Sequence, residues 1–245
     1  MNDKLQQIDT LLGELNQYRA NENYRITEAL EIEYTYDSNR IEGNTLTLHE
    51  TDMVVNKGIT IAGKGLRGHL EAINHKEAID FIKDIAQKKE PISERVLLDI
   101  HAIVLHSIDK DNAGKYRRVP VIISGSKHIP PQPYLLQPKM DELFQWYEAN
   151  KDSIHPVVLA AQMHEKLVSV HPFIDGNGRT ARLLMNLILM QHGYPIANIK
   201  GDNETRRRYY ETLEEASSGD NSAFVEFIED VVIQSLTYYL KIIRG

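Results

Sequence analysis

The sequence predicts an all-α fold, a helical bundle that carries one small β-hairpin. Apolar residues recur every three or four positions over most of the 245-residue chain, as on helices with one buried face. The stretch 179–190 is almost wholly apolar after its first turn, which predicts a central buried helix. Residues 109–138 break this rhythm, and two short β-rich arms around Ser124-Gly125-Ser126 predict the hairpin.

Capping and breaking residues set the helix boundaries. Thr47 and Glu50 form a capping box that opens a short helix, and Gly58 closes it. Ser93 is a typical N-cap for the helix that follows. A polar break at 21–23 separates the first two helices. The predicted helices cover 4–19, 23–40, 47–56, 66–88, 93–108, 138–147, 157–170, 179–190, 203–217 and 221–243.

Composition excludes several classes of function. A net charge of −7 argues against broad nucleic-acid binding, which relies on clustered Lys and Arg. Because the chain has no cysteine, it has neither disulfides nor thiolate metal sites. No signal pattern opens the sequence, and no run approaches the ~18 apolar residues of a membrane span. We therefore expect a cytoplasmic protein that does not enter a membrane.

The densest chemistry in the chain lies between His171 and Arg182, where the sequence reads HPFIDGNGRTAR. Gly176 and Gly178 precede a helix, so backbone N–H groups can converge there on an anion. Arg179 and Arg182 share one face near the same helix end, where the dipole disfavours positive charge. Two cations in that place indicate an anionic ligand.

Two further side chains complete this constellation. Asp175 lies beside the cradle and would repel phosphate unless a divalent cation such as Mg²⁺ lay between them. His171 has the side chain whose ordinary pKa best suits a proton acceptor near neutral pH. Base, metal ligand and phosphate cradle together indicate transfer of a phosphorus-containing group to a hydroxyl.

The same stretch resembles the signature of the Fic family, His-Pro-Phe-x-Asp/Glu-Gly-Asn-Gly-Arg-x-x-Arg, with no departure at a fixed position. The resemblance implies a Fic-like helical bundle and protein adenylylation (AMPylation), the transfer of AMP from ATP to a Ser, Thr or Tyr hydroxyl. It also implies a role for each position. These are His171 as general base, Phe173 as buried loop anchor, Asp175 as Mg²⁺ ligand, Gly176, Asn177 and Gly178 as phosphate cradle, and Arg179 and Arg182 as β- and γ-phosphate ligands.

Three other features gain meaning from the resemblance. In kinase-like relatives a Lys stands where this chain has Gly178, so Gly178 favours AMP transfer over phosphoryl transfer. Tyr209 matches a tyrosine that lines the adenine pocket, although Ser217 stands where those relatives have an Asn that also contacts the base. A hairpin at 114–131 would be a flap along which the protein substrate binds, by β-augmentation.

A second motif lies at the end of the second predicted helix. Ser38 and Glu42 share a face, and Gly43 can end the helix in a left-handed conformation. A carboxylate is poorly placed at that end unless a cation meets it. The pattern resembles the Fic inhibitory motif Ser/Thr-x-x-x-Glu-Gly/Asn, which implies that Glu42 pairs with Arg182 and occupies the γ-phosphate position.

The resemblance divides the chain into an N-terminal region with the inhibitory helix, 1–60, and a catalytic domain, 61–245. Two alternatives to an autoinhibited adenylyltransferase stay open. The same site could remove AMP from a modified protein, with Glu42 positioning a water, or the chain could be a non-catalytic nucleotide-binding regulatory module. The apolar faces of the N-terminal helices could pair in a homodimer. The ten histidines lack the spacing of helical metal ligands, so pairs such as His101 and His106 are interpreted as surface or packing residues.

Overall fold

The computed structural model describes residues 3–21 and 24–244, so residues 22 and 23 of the predicted break lie outside it. Within those ranges the chain forms ten α-helices and two short 3₁₀ turns, and no β-strand. The helices are α1 (Asp3–Tyr18), α2 (Tyr24–Ile41), α3 (Leu48–Lys57), α4 (Leu66–Lys88), α5 (Glu94–Leu105), α6 (Leu136–Asn150), α7 (Pro156–Val170), α8 (Asn177–Gln191), α9 (Asn203–Ser217) and α10 (Ser222–Arg244).

Helix α8 lies at the centre of the bundle, in contact with α2, α4, α5 and α7. Its leucines Leu183, Leu184, Leu187 and Leu189 have no exposed surface. Burying each such side chain contributes ~1.5–3 kcal/mol relative to leaving it in water. This packing fixes the first turn of α8, where the signature residues lie.

The local signals read from the sequence are confirmed at two helix starts. The hydroxyl of Thr47 accepts from the N–H of Glu50 at 3.2 Å, and the Glu50 carboxylate accepts from the N–H of Thr47 at 2.7 Å. Ser93 caps α5 through the N–H of Val96, at 3.4 Å. Gly58 ends α3 with φ +64°, a left-handed conformation that glycine adopts without strain.

The predicted β-hairpin at 114–131 is wrong. The turn is present, because the N–H of Ser126 donates to the carbonyl of Ile123 at 3.1 Å, but no ladder joins the arms within the described residues. Prolines at 120, 130 and 131 remove the N–H groups that such a ladder needs. We call residues 114–131 the flap, and it is an irregular extended loop.

Bonds from Arg117 and His128 hold the flap in place of the missing ladder. The backbone N–H of Arg117 donates to the carbonyl of Pro172 at 2.9 Å, and its guanidinium donates to that of Pro131 at 2.6 Å. His128 donates from Nε2 to the carbonyl of Ser169 at 2.7 Å. Both arms are therefore tied next to the loop between α7 and α8. None of the helices in the described residues combines the length and apolarity needed to cross a bilayer.

Candidate active site

His171 ends α7 in a left-handed conformation, with φ 48° and ψ 57°. For a residue other than glycine this conformation costs ~1–2 kcal/mol, so the surrounding bonds must hold it. Its N–H donates to the carbonyl of Leu167 at 3.0 Å, and its carbonyl accepts from Nε of Arg117 at 2.9 Å. The backbone thus turns sharply at the candidate base and enters the signature loop.

Two buried side chains fix the shape of that loop. Phe173 has no exposed surface, and its ring stacks on His101 with centroids 3.6 Å apart and planes 8° apart. The amide of Asn177 accepts from the N–H of Phe173 at 3.0 Å and donates to its carbonyl at 2.9 Å. Asn177 therefore contributes its side chain to the loop itself, and only its backbone N–H faces the cradle.

His101, interpreted from the sequence as a packing or surface residue, supports the loop from α5. The N–H of Gly114 donates to its Nδ1 at 3.0 Å, so the ring carries its proton on Nε2 and donates to the carbonyl of Asp175 at 3.0 Å. Burial lowers the pKa of His101 to about 4, which keeps the ring neutral near pH 7. One histidine thereby joins the start of the flap to the signature loop.

The first turn of α8 presents its backbone donors to one point. Gly176 caps the helix with φ +79°, and its own N–H is taken by the Asp175 carboxylate at 2.6 Å. Among the described residues no acceptor takes the N–H of Asn177, Gly178 or Arg179. Such a helix start suits an anion.

In this structure the anion at the cradle is the carboxylate of Glu42. Its Oε1 lies 2.7 Å from Nη2 of Arg182, and so close to Gly178 that a Cβ there would overlap it. Arg182 has no exposed surface and also donates to the hydroxyl and carbonyl oxygens of Ser38, at 3.0 and 2.9 Å. Burial alone would lower the pKa of Arg182, but Tyr209 and Glu42 outweigh it and raise that pKa above its usual value.

Helix α2, which carries Ser38 and ends one residue before Glu42, is anchored on its other side. Asp37 accepts from the N–H of Gly201 at 2.9 Å and from the amide of Asn198 at 2.7 Å. Gly201 approaches so closely that a Cβ there would come within 2.9 Å of the carbonyl oxygen of Asp37 and of Cβ of Arg40. Gly43 ends the motif with φ +95°, the left-handed stop that its sequence predicts.

Asp175 lies at the opposite end of the cradle, with its side chain 39% exposed. Oδ1 accepts from the N–H of Gly176 and lies 3.3 Å from Nη2 of Arg179, and Oδ2 pairs with Arg67 of α4. Burial by itself would raise the pKa of Asp175, but Arg179, the Gly176 N–H and Arg67 lower it. The carboxylate is therefore ionised, as a metal ligand must be.

Arg179 is buried beside Asp175, only 2% exposed, and also lies 3.5 Å from Glu71 of α4. Its Nε and Nη1 donate no hydrogen bond within the part of the chain that the structure describes. Buried donors without acceptors are costly, so these atoms favour an added acceptor such as a phosphate oxygen.

A cavity of about 730 Å³ opens beside the cradle. Its inner wall includes Glu42, His171 and Gly178, and its outer walls are the flap turn and one face of α9. Burial lowers the pKa of His171 to about 4, against the opposing effect of the nearby Val168 carbonyl. The imidazole is therefore unprotonated near pH 7, the state that a proton acceptor requires.

Tyr209 borders this cavity and also supports Arg182. Its hydroxyl accepts from Nη1 of Arg182 at 3.2 Å and donates to Nε2 of buried His164 at 3.1 Å. Ser217 lines the same wall, with its hydroxyl turned to the carbonyl of Glu214 at 2.7 Å. Tyr209 is thus bonded to the arginine that pairs with Glu42.

Three residues that shape the site drew no attention in the sequence. Arg117 ties the flap to His171, and Arg67 pairs with Asp175. Glu214 of α9 accepts from the hydroxyl of Ser126 and, at 2.8 Å, from the N–H of Lys127, which latches the flap over the cavity. Their partners lie far away in the chain, so no local pattern reveals them.

The comparisons with known proteins agree with this geometry. A family model described as the Fic/DOC family matches residues 91–189. The proteins named protein adenylyltransferase Fic from Nematostella vectensis and Drosophila grimshawi are 38% and 39% identical to the chain over 85% of its length. The chain spans 48% and 42% of those relatives, which is half their length or less.

Solved structures resemble the whole bundle. A Fic domain-containing signaling protein from Bacteroides thetaiotaomicron superposes with a TM-score of 0.88 at 29% identity, covering 99% of this chain and 97% of the other. A fragment of Fic-1 from C. elegans gives 0.87 at 31% identity, covering 98% and 72%. The likeness includes the helices that surround the signature loop.

Proposed function

The chain belongs to the Fic/DOC family, and from this premise we propose that it is a protein adenylyltransferase that Glu42 holds inactive. It would transfer AMP from ATP to a Ser, Thr or Tyr hydroxyl of a protein. The observation that carries the proposal is the convergence of His171, the helix start at Gly178 and the Glu42–Arg182 pair on one cavity. Curated relatives bearing the adenylyltransferase name support it.

His171 would accept the proton of the target hydroxyl. Its Nδ1 is buried, which leaves Nε2 as the nitrogen available to the cavity. As the proton leaves, the hydroxyl oxygen forms a bond to the α-phosphorus of ATP and the bond from that phosphorus to the bridging oxygen breaks. Pyrophosphate departs, and the target keeps the AMP.

The remaining signature residues would bind the nucleotide and meet the charge that develops. The free N–H groups of Gly178 and Arg179, together with the two guanidinium groups, would hold the phosphates. The residues also fit Mg²⁺. Asp175 is an ionised, partly exposed carboxylate beside the cradle, and no group of three or more possible ligands exists among the described residues, so nucleotide oxygens would supply the others. When bound, the ion would neutralise phosphate charge.

Glu42 would block the site because its carboxylate stands where phosphate oxygens would bind. Holding a site 99% closed requires about 2.7 kcal/mol, whereas an exposed ion pair contributes only ~0–1 kcal/mol. Here Arg182 is fully buried, Glu42 is 32% exposed, and Ser38 and Tyr209 complete the bonds of Arg182. The pair is therefore better shielded from water than an ion pair on the surface. In this proposal residues 1–60 are the regulatory region and 61–245 the catalytic domain.

The flap would bind the protein substrate. Ile122 and Ile129 are 90% and 80% exposed, and Val119 is 52% exposed, on the loop that borders the cavity. Exposed apolar side chains around a cavity are typical of a docking surface, and an extended target segment would lie along them. The cytoplasmic location and the homodimer stay predictions of the sequence.

One observation favours a second activity of the same site. Glu42 is 32% exposed and borders the cavity together with His171, so its carboxylate could position a water. Such a water would remove AMP from a modified protein. Incubating the purified chain with an adenylylated protein, with and without the Glu42→Gly substitution, separates hydrolysis from transfer.

The proposed function is tested by intact-mass measurement after incubation with ATP and Mg²⁺. We expect the Glu42→Gly chain to gain the mass of AMP on itself or on an added protein, and the wild-type chain to gain much less. Adding His171→Ala to Glu42→Gly should reduce transfer by about 10²–10⁴-fold while ATP binding persists. Equal labelling with and without the imidazole would exclude the proposed role of His171.

A further inference from the structure

Arg67 lies on the first turn of α4 and reaches across to the carboxylate of Asp175. The positive side chain is 61% exposed and stands near a helix N-terminus, where the dipole disfavours a cation. Two carboxylates offset this, Asp175 and, at 3.1 Å from Nε, Glu71. The side chain is therefore drawn towards the signature loop by charge.

With this contact, both oxygens of Asp175 have a partner in the chain. Oδ1 accepts from the N–H of Gly176 at 2.6 Å and pairs with Arg179, and Oδ2 pairs with Arg67. Arg179 is buried and held in place, whereas Arg67 is mostly exposed. Of the two guanidinium groups, Arg67 is the one that can move aside into solvent.

Glu71 orients Arg67 and links it to the inhibitory segment. Its Oε1 lies 3.1 Å from Nε of Arg67 and 3.5 Å from Nη1 of Arg179, and its Oε2 accepts from the amide of Asn44 at 3.0 Å. Asn44 follows Glu42 by two residues and also bonds to the carbonyl of Gly68 at 2.9 Å. The metal end of the site and the segment behind the inhibitory glutamate thus share one hydrogen-bond network.

We propose that Arg67 is a built-in competitor for the divalent cation, occupying Asp175 at rest, so that a metal ion arriving with the nucleotide must displace it. The inference rests on the proposed function, since it assumes a metal-bound nucleotide at this cradle. A metal ion on Oδ2 of Asp175 and the guanidinium of Arg67 would repel each other, because both carry positive charge and both would lie against the same oxygen. At rest the chain then fills both ends of the site with its own charges, Glu42 at the phosphates and Arg67 at the metal.

A metal ion should displace Arg67 from Asp175 at a small cost in free energy. A largely exposed ion pair contributes at most ~1 kcal/mol, so removing the competitor should improve binding by no more than about fivefold. The opposite role is also testable, because a free Arg67 could instead contact a phosphate. In that case its removal would weaken nucleotide binding whether or not metal is present.

The test measures ADP binding by calorimetry to the full chain carrying Glu42→Gly, with Mg²⁺ and separately with EDTA. ADP avoids turnover during the titration. We expect Arg67→Ala to tighten ADP binding measurably, by no more than about fivefold, with Mg²⁺ and to give no gain with EDTA. The matched control is Arg95→Ala, an arginine of α5 that is 87% exposed and pairs only weakly with Asp99 among the described residues.

Each outcome decides the question. A gain confined to Mg²⁺ supports the competitor role. Unchanged or weaker binding with Mg²⁺, or a gain that persists in EDTA, overturns it while leaving the adenylyltransferase proposal intact. Failure of the Glu42→Gly parent to bind ADP at all overturns both, and circular dichroism shows whether each variant is folded.

Discussion

Oε1 of Glu42 lies so close to Gly178 that a Cβ on this residue would overlap it unless the glutamate side chain moved. The two residues are brought together by α2 and α8, and Arg182 pairs with the same carboxylate oxygen at 2.7 Å. In the proposed mechanism, the position that a phosphate would need is thus the position that the Glu42 carboxylate fills.

This contact predicts the behaviour of Gly178→Ala. The methyl group should expel the Glu42 carboxylate, yet it should also project into the cradle and hinder a phosphate. We therefore expect Gly178→Ala to bind ATP poorly even when Glu42→Gly is added, with a loss of at least about tenfold relative to Glu42→Gly alone. Equilibrium binding of ATP to the three variants measures this.

The backbone conformation of Gly178 allows alanine, so reduced ATP binding in this variant would not come from a strained helix. Gly178 does not have a positive φ, so alanine is compatible with its helical conformation and should favour α8 by up to ~1 kcal/mol. In thermal unfolding, the stability of this variant should therefore fall by no more than the contribution of the Glu42–Arg182 contact. ATP binding as tight as in Glu42→Gly would contradict the assignment of Gly178 to the cradle.

At this site, contacts between residues close in sequence are predictable and contacts between distant residues are not. Residues 171–182 are contiguous, so their loop, their glycines and the following helix could be inferred from local rules alone. The bond of His101 to Asp175 spans 74 residues and that of Arg67 spans 108, and no local rule reaches so far. The position of Glu42 at a helix end predicts a cation partner, but only the resemblance identifies that partner as Arg182.

At the flap, the local β preference of the sequence does not produce the predicted hairpin. Two short β-rich arms around Ser124-Gly125-Ser126 predict a hairpin, and the turn does form. The pairing fails because prolines interrupt the arms. In addition, Arg117 bonds to the loop after α7 and His128 bonds to the last turn of α7. Tertiary bonds outweighed a local β preference, as is common for short arms.

A second prediction concerns the anchor of α2. In Gly201→Ala the added Cβ would lie 2.9 Å from the carbonyl oxygen of Asp37 and from Cβ of Arg40, so α2 must shift. We expect a stability loss of ~1–3 kcal/mol and partial relief of inhibition, although no signature residue is altered. Chemical unfolding and AMP transfer to the chain itself measure the two effects.

Gly13→Ala is the matched control for this variant. Gly13 lies in α1, and a Cβ there meets nothing within 4 Å. The control should keep the wild-type level of transfer and gain up to ~1 kcal/mol of helix stability. A destabilised Gly201→Ala chain whose transfer stays at the wild-type level would show that α2 need not be anchored to inhibit.

A third prediction concerns the latch between α9 and the flap. The carboxylate of Glu214 accepts from the hydroxyl of Ser126 and the N–H of Lys127, which hold the flap turn over the cavity. In Glu214→Ala we expect faster hydrogen–deuterium exchange in residues 120–130 and weaker binding of a protein substrate. ATP binding to the Glu42→Gly background should change by less than about twofold.

Glu215→Ala tests whether the effect belongs to the latch. Glu215 is exposed, and its neighbour carries both flap bonds. The flap should exchange at the wild-type rate in this variant. If Glu214→Ala and Glu215→Ala leave exchange equally unchanged, the flap is held by Arg117 and His128 alone.

The last prediction concerns pH. Burial lowers the pKa of His171 to about 4, and the unprotonated imidazole is the form that accepts a proton. Protonation should therefore begin to inhibit only as pH falls towards that value. For the Glu42→Gly chain we expect kcat/KM for AMP transfer to show no loss from this group between about pH 8 and pH 5.5, where an ordinary histidine would already be largely charged.

Stability must be followed in the same experiment, because His101 and His171 both have lowered pKa values. The unfolded chain binds protons at these two residues below about pH 6.5, whereas the folded chain does not until about pH 4, so their contribution to folding is lost as pH falls through that window. Rates are therefore compared only where circular dichroism shows the chain folded. If kcat/KM falls below about pH 6.5 while the chain is still folded, His171 is exposed to solvent in the working enzyme. Its burial here would then belong to the inhibited state.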